Sequence, residues 1–179
     1  MQIGFLGPAE LLAKNTTILS RLGHDLSPVT APAQLAQLDG LIVSARHAGE
    51  LTRLNRLRRA IKEQKRLAVM GAALGAYALG QNGPLALMNY QTYYREEEKE
   101  RFAMVQVPSW DNHRMTAVFH PRLRFVHIAP NLGIVCQSKE LGPIVLRQGN
   151  YVAASFTPEE MKDWAIYRYF LEMTARAQS

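Results

Sequence analysis

The sequence holds a single cysteine, Cys136, so an internal disulfide is excluded and a cysteine-based metal cluster lacks its ligands. No apolar run approaches the roughly 20 residues that a membrane-spanning helix needs. The opening MQIGFLG has no basic stretch followed by a long apolar one. A secretory leader is therefore not expected, and the cytoplasm is the expected location. There is no internal repeat and no low-complexity linker. What remains is ordinary globular material. Apolar residues make up 47% and charged residues 20% of 179, which argues against disorder. The length fits one domain spanning residues 1–179.

The net charge of +6 is unevenly placed. Between Arg53 and Arg66 seven basic residues face one acid, Glu63, so this stretch carries the whole excess and the rest of the chain is neutral. Within it Leu51, Leu54, Leu57 and Ile61 recur as one face of a helix. An exposed basic helix is expected, with Arg53, Arg56, Arg59 and Lys62 as the residues that would meet an acidic protein partner. The competing reading is a solvated face. Nucleic acid is not the expected partner, because no base-reading motif accompanies the charge.

Gln2–Leu6, Leu41–Val43 and Leu67–Met70 read as buried strands, alternating with helices over 9–22, 51–61 and 72–79. Such alternation predicts a parallel sheet with helices on both faces. Gly23 is placed to end the first helix. The middle changes to short strand candidates at 87–95, 102–107, 115–119, 125–128 and 134–136. A hairpin of 143–147 and 151–156 follows, then a last helix over about 158–176. Glu96-Glu97-Glu98-Lys99-Glu100 marks a solvated turn.

The sharpest local signal is Ala68-Val69-Met70-Gly71-Ala72-Ala73-Leu74-Gly75, an apolar strand entering Gly-x-Ala-x-Gly and then a helix. A nucleophile elbow has this form, with Ser or Cys between the glycines. Here the central residue is Ala73, which cannot attack anything. Thr157-Pro158-Glu159-Glu160 fits Ser/Thr-x-x-Glu with Pro at the first helical position. That capping box predicts Thr157 as N-cap of the final helix, worth about 1 kcal/mol.

Taken with MQIGFLG, Leu38–Val43, Leu85–Met88, Ala129-Pro130, Arg147-Gln148-Gly149 and Ser155-Phe156-x-Pro158-Glu159, the chain resembles the class I (triad) glutamine amidotransferases. Within that family it is most similar to the glutaminase subunits of pyridoxal phosphate synthase. The resemblance is collinear over nearly the whole chain. It implies a three-layer, flavodoxin-like α/β domain with a mainly parallel sheet and a small antiparallel extension. Family members hydrolyse glutamine with a Cys-His-Glu triad and pass ammonia to a partner synthase. The Cys position is Ala73, the His position Thr157 and the Glu position Glu159. The oxyanion strand, usually ending in Pro-Gly-Gly-Glu-Ser, matches Ser44-Ala45-Arg46-His47-Ala48, without the paired glycines. A glutamine-holding Arg falls among Glu96–Glu98, and a second Arg falls at Ile128.

Other chemistry has little support. Cys136 lies in an apolar strand and reads as a core thiol. His24, His47, His113, His120 and His127 show no metal-ligand spacing, and no phosphate loop is spelled, so neither metal nor cofactor is expected. Arg46 and His47, by their place at the old oxyanion loop, are candidates for an anion. Tyr93 with Arg95 is a second ligand candidate. The leading expectation is a catalytically inactive amidotransferase homologue serving as a binding or regulatory subunit. Two alternatives stay open: a different chemistry in the same cleft, and a surviving glutaminase of vitamin B6 biosynthesis if the triad falls elsewhere.

Overall fold

The computed structural model describes residues 1–95, 101–107, 110–119 and 122–179. Its centre is a seven-stranded sheet in the order β2-β1-β3-β4-β11-β10-β9. β1 (Gln2–Leu6), β2 (Asp25–Pro28), β3 (Gly40–Ala45), β4 (Ala68–Ala73) and β11 (Tyr151–Ala154) run parallel. β10 (Gly142–Gln148) and β9 (Gly133–Ser138) extend that sheet antiparallel. Two ribbons stand apart from it: β5 (Gln91–Arg95) with β8 (Arg122–Val126), and β6 (Arg101–Val107) with β7 (His113–Phe119). The architecture is therefore the α/β sheet with an antiparallel extension that the sequence predicts.

The two-residue period of the strands sorts the core into two layers. Ile3, Phe5, Ile42, Met70 and Val152 face one side, where α1 (Ala9–Arg21) and α4 (Ala165–Gln178) pack together with β6 and β7. Leu41, Val43, Val69 and Ala153 face the other, against α2 (Arg58–Glu63), α3 (Leu74–Leu79) and the β5/β8 ribbon. Both faces are covered, so the central strands read as continuous apolar runs. Buried Asn15 ties the two helices of the first layer together. It donates to Leu11 O at 2.9 Å and accepts the Tyr167 hydroxyl at 2.8 Å. α1 ends as Gly23 predicts: Gly23 takes φ +82° and the His24 N–H bonds back to Leu19 O at 2.9 Å.

Three local expectations need correction. The basic helix is not continuous. It is a 3-10 turn over Ala48–Leu51, a second over Leu54–Leu57, and only then α2. The spacing of 51, 54 and 57 matches three residues per turn, the 3-10 repeat, and the step to 61 is the first α-helical one. The inward face is nonetheless as expected, with Leu51, Leu54, Leu57 and Ile61 all buried. The third helix starts at Leu74, since Ala72 and Ala73 finish β4. The last helix starts at Ala165, seven residues later than the capping box implies. Thr157 precedes a three-residue 3-10 turn, Pro158–Glu160, and makes no side-chain cap bond. The first N–H of α4 goes instead to Asp163, whose Oδ1 accepts from Ala165 at 2.8 Å. The acidic turn expected at 96–100 lies outside the described residues.

Candidate functional site

β4 delivers Ala73 to the apex of the strand-to-helix turn with φ +49° and ψ −121°. An L-residue in such a region is strained by about 1–3 kcal/mol. The strain is held by packing. A Cβ on Gly75 would lie 1.9 Å from Val43 O, and one on Gly71 would lie 2.6 Å from Gly75 O. β4, α3 and β3 thus approach at distances only glycine allows. The Ala73 N–H donates to Phe156 O at 3.0 Å, and Ala45 sits beside Ala73 in the β3/β4 register. The sharp turn of a nucleophile elbow is complete, and a methyl group occupies its tip.

The residues expected around the apex are brought together by β3 and the turn after β11. Thr157, Ser44 and Glu159 are all buried, and Ala73 itself is 1% exposed. Solvent does not reach the Ala73 methyl. The Thr157 N–H donates to Val118 O at 2.7 Å. Glu159 does not meet an imidazole. Its Oε1 accepts the Ser44 hydroxyl at 2.8 Å, while its buried Oε2 has no hydrogen-bond partner among the described residues. Burial pushes the Glu159 carboxyl above its ordinary value, and neighbouring Glu160 pushes the same way. Its own backbone N–H, Ser44 and Arg46 oppose the rise without cancelling it.

The loop after β3 directs its N–H donors to a side chain of the same loop. The Arg46 N–H donates to Glu50 Oε2 at 2.9 Å, and the His47 N–H reaches the same oxygen at 3.4 Å. A carboxylate of the chain therefore sits where two backbone N–H groups converge. The Arg46 side chain turns away into an ion cluster. It pairs with Glu160 and, at 3.0 Å, with Glu10, while Lys14 pairs with Glu160 at 2.5 Å. Burial works against the Glu160 charge, yet Lys14 and Arg46 draw its carboxyl below the ordinary range. The cluster joins α1, the β3 loop and the turn after β11. His47 is exposed and stands outside it.

The remaining candidates scatter. Tyr93 and Arg95 lie on the solvent side of β5, in a cleft of about 250 Å³ shared with Arg122 and Arg124. Ile128 packs partly against the α2/α3 layer, next to His127 with its φ of +49°. Cys136 is buried, and burial pushes its thiol up to about 11. Burial thus disfavours the thiolate at neutral pH. Arg53, Arg56, Arg59 and Lys62 are all exposed. His120 and the Glu96–Glu98 positions lie outside the described residues. Among the described residues no three of His, Cys, Asp and Glu assemble as metal ligands would. No helix described is long and apolar enough to cross a membrane.

Sequence reasoning did not foresee the contacts of Ser44, Glu50 and Glu160 or the pair His113–Asp163, whose Nε2 and Oδ2 lie 2.5 Å apart. Ser44 and Glu159 are 115 positions apart, and His113 and Asp163 are 50 apart. No local pattern announces either pair. Glu50, four positions after Arg46, was within reach of a local reading.

The glycine-bounded elbow between β4 and α3 faces the turn after the last parallel strand. No family model matches the chain. It is 26% identical over 190 residues to "Pyridoxal 5'-phosphate synthase subunit PdxT" of Thermotoga maritima, covering 97% of this chain and 99% of that one. It is 28% identical over 195 residues to the PdxT subunit of Brevibacillus brevis, covering both chains in full. A solved glutamine amidotransferase superposes with a TM-score of 0.83 at 23% identity, covering 98% of this chain and 100% of that one. Another, from Thermotoga maritima, gives 0.65 at 12% identity, with 99% and 84% covered. The structural likenesses speak for the fold alone. The full-length relatives, at 26% and 28% identity, make the chain similar to PdxT along its whole length.

Proposed function

We propose that this chain is an amidotransferase-fold subunit without glutaminase chemistry, working in the cytoplasm as a binding or regulatory partner of a synthase-type protein. One observation carries the reading: the elbow holds its strained geometry around Ala73, which has no atom to attack with. The neighbouring residues support it. Thr157 cannot act as a general base, Glu159 is engaged by Ser44, and Glu50 takes the loop N–H groups that would face an oxyanion. Loss of a nucleophile or base alone costs on the order of 10⁶ in turnover in a triad enzyme.

The partner reading rests on the relatives being named as subunits of a synthase, and on the basic face. Arg53, Arg56, Arg59 and Lys62 project from a platform fixed by four buried apolar residues. An acidic protein surface is the complementary partner.

Ammonia release from glutamine tests the catalytic part. The purified chain should stay at the blank rate, and so should Ala73→Cys, because base and oxyanion donors are still missing. Turnover in the unmodified chain that Glu159→Ala abolishes would overturn the reading.

A further inference from the structure

We propose that the His113–Asp163 pair is a latch that holds segment 157–163 against β7, through which contacts made on the β6/β7 ribbon reach the residues beside the elbow. Segment 157–163 links β11 to α4, and it meets β7 at both of its ends. At one end the Thr157 N–H donates to Val118 O at 2.7 Å. At the other, Asp163 Oδ2 lies 2.5 Å from His113 Nε2. β7 thus runs beside the segment as a splint, with a backbone bond at one end and a side-chain pair at the other.

The dimensions leave little slack. The strand from His113 to Val118 spans about 17 Å. The chain from Thr157 to Asp163 reaches about 20 Å when fully extended. Its 3-10 turn, Pro158–Glu160, takes up part of that length. Between the two tethers the segment carries Glu159, bonded to Ser44, and Glu160, paired with Lys14 and Arg46.

The chemistry of the pair suits a latch. A carboxylate only accepts, so the proton lies on Nε2, and the charged acceptor strengthens the bond. Asp163 has a second task. Its Oδ1 accepts from the Ala165 N–H at 2.8 Å, where α4 begins. That bond fixes the carboxylate, so its other oxygen meets β7 already oriented. The two ends of the splint differ in kind. Val118 and Phe119 are buried with Phe156 and Met161 in one apolar cluster. The side chains of His113 and Asp163 are 38% and 24% exposed. One end is core, and the other is polar and reachable from solvent. An interaction that draws either side chain away opens the latch while Thr157 stays packed. The device concerns the shape of the elbow and stands whether or not the chain hydrolyses glutamine.

Native-state amide hydrogen exchange, resolved by NMR on the full chain in low urea, tests the proposal. The reporters are the Glu160 and Met161 N–H groups, which bond to Thr157 O at 3.2 Å and Pro158 O at 3.1 Å. Their exchange should depend only weakly on urea, as a local opening does, whereas β1 and β4 amides should follow global unfolding. His113→Ala should speed the reporters by about tenfold, the effect of one lost, partly exposed bond to a charged group. Asp163→Ser should do the same, because serine still offers an oxygen to the Ala165 N–H but cannot reach His113. The double change should add little to either single one. His113→Gln keeps an N–H donor and should restore most of the protection. Reporters that ignore His113→Ala overturn the latch. So do reporters as steeply urea-dependent as β1 and β4, since they then open only with the whole fold. Additive effects of the two changes overturn it as well, and so does His113→Gln exchanging as fast as His113→Ala, which would make the imidazole a packing group only.

Discussion

Glu159→Gln should make the protein more stable as the pH rises, and the dependence can be worked out in advance. The Glu159 carboxyl is raised above 4.5 in the folded state, chiefly by burial. Below 4.5 it is neutral whether folded or unfolded. A glutamine there can accept the same Ser44 proton that Oε1 accepts at 2.8 Å, so variant and parent should match to within about 1 kcal/mol. Between 4.5 and the raised folded value, the folded state holds a proton that the unfolded chain has released. Stability of the parent then falls with pH, by at most about 1.4 kcal/mol per pH unit. Above the folded value the loss is complete and the difference levels off. Glutamine does not titrate and escapes all of this. The groups facing the carboxyl are Ser44, Arg46, Glu160 and Tyr167. Glu160 has the opposite sign: its lowered value adds stability that is lost as the pH falls. Subtracting parent from variant removes that contribution to first order. Urea midpoints for both proteins, from below pH 4.5 to neutrality, are the assay. A difference that stays flat, or that moves against the glutamine variant as pH rises, would mean that Arg46 outweighs burial and that the orphaned Oε2 is charged at little cost.

Gly75→Ala should destabilise the fold by about 3 kcal/mol or more, since its Cβ would lie 1.9 Å from a backbone oxygen of β3 that cannot move aside. Thermal unfolding within a few degrees of the parent would show the elbow to be looser than its packing. Reversing Arg56, Arg59 and Lys62 to Glu should leave the melting temperature nearly unchanged and, for any partner recovered with the native protein, slow association and flatten its salt dependence. Stopped-flow rates that ignore both the reversal and added salt would remove this face from the interface.

The layers of the fold were legible because their signals are local. Continuous apolar runs in β1, β3 and β4, the glycines at 71 and 75, and Gly23 after α1 each state their own conformation. The errors arose where two local signals compete. Leu51, Leu54 and Leu57 satisfy a helical face, but their strict three-residue step winds as 3-10 turns. Thr157-Pro158-Glu159-Glu160 satisfies a capping pattern, yet the chain stops after one turn and α4 draws on Asp163 instead. Arg122 and Arg124 could not be linked to Tyr93 and Arg95 from the sequence, because only the β5/β8 register sets them side by side.

On the proposed reading of a chain without glutaminase chemistry, the elbow keeps its shape while the polar groups around it are engaged elsewhere. Two of its polar groups have found partners within the chain: Glu159 binds Ser44, and the β3 loop donors bind Glu50. Arg46 is drawn off into the Glu10–Lys14–Glu160 cluster. Each of these contacts now contributes to the fold, so each would have to be broken for the old geometry to act. Catalytic groups of a triad work as a unit, and their effects do not add. Supplying a thiol at 73 without an imidazole at 157 gives a nucleophile with no base. Supplying both leaves the Glu50 carboxylate, itself negative, on the N–H groups that would otherwise stabilise the anionic intermediate, and one such donor is worth about 10²–10³ in rate. If the proposed reading holds, glutaminase chemistry at this elbow is opposed less by the Ala73 methyl than by the contacts that engage its surroundings.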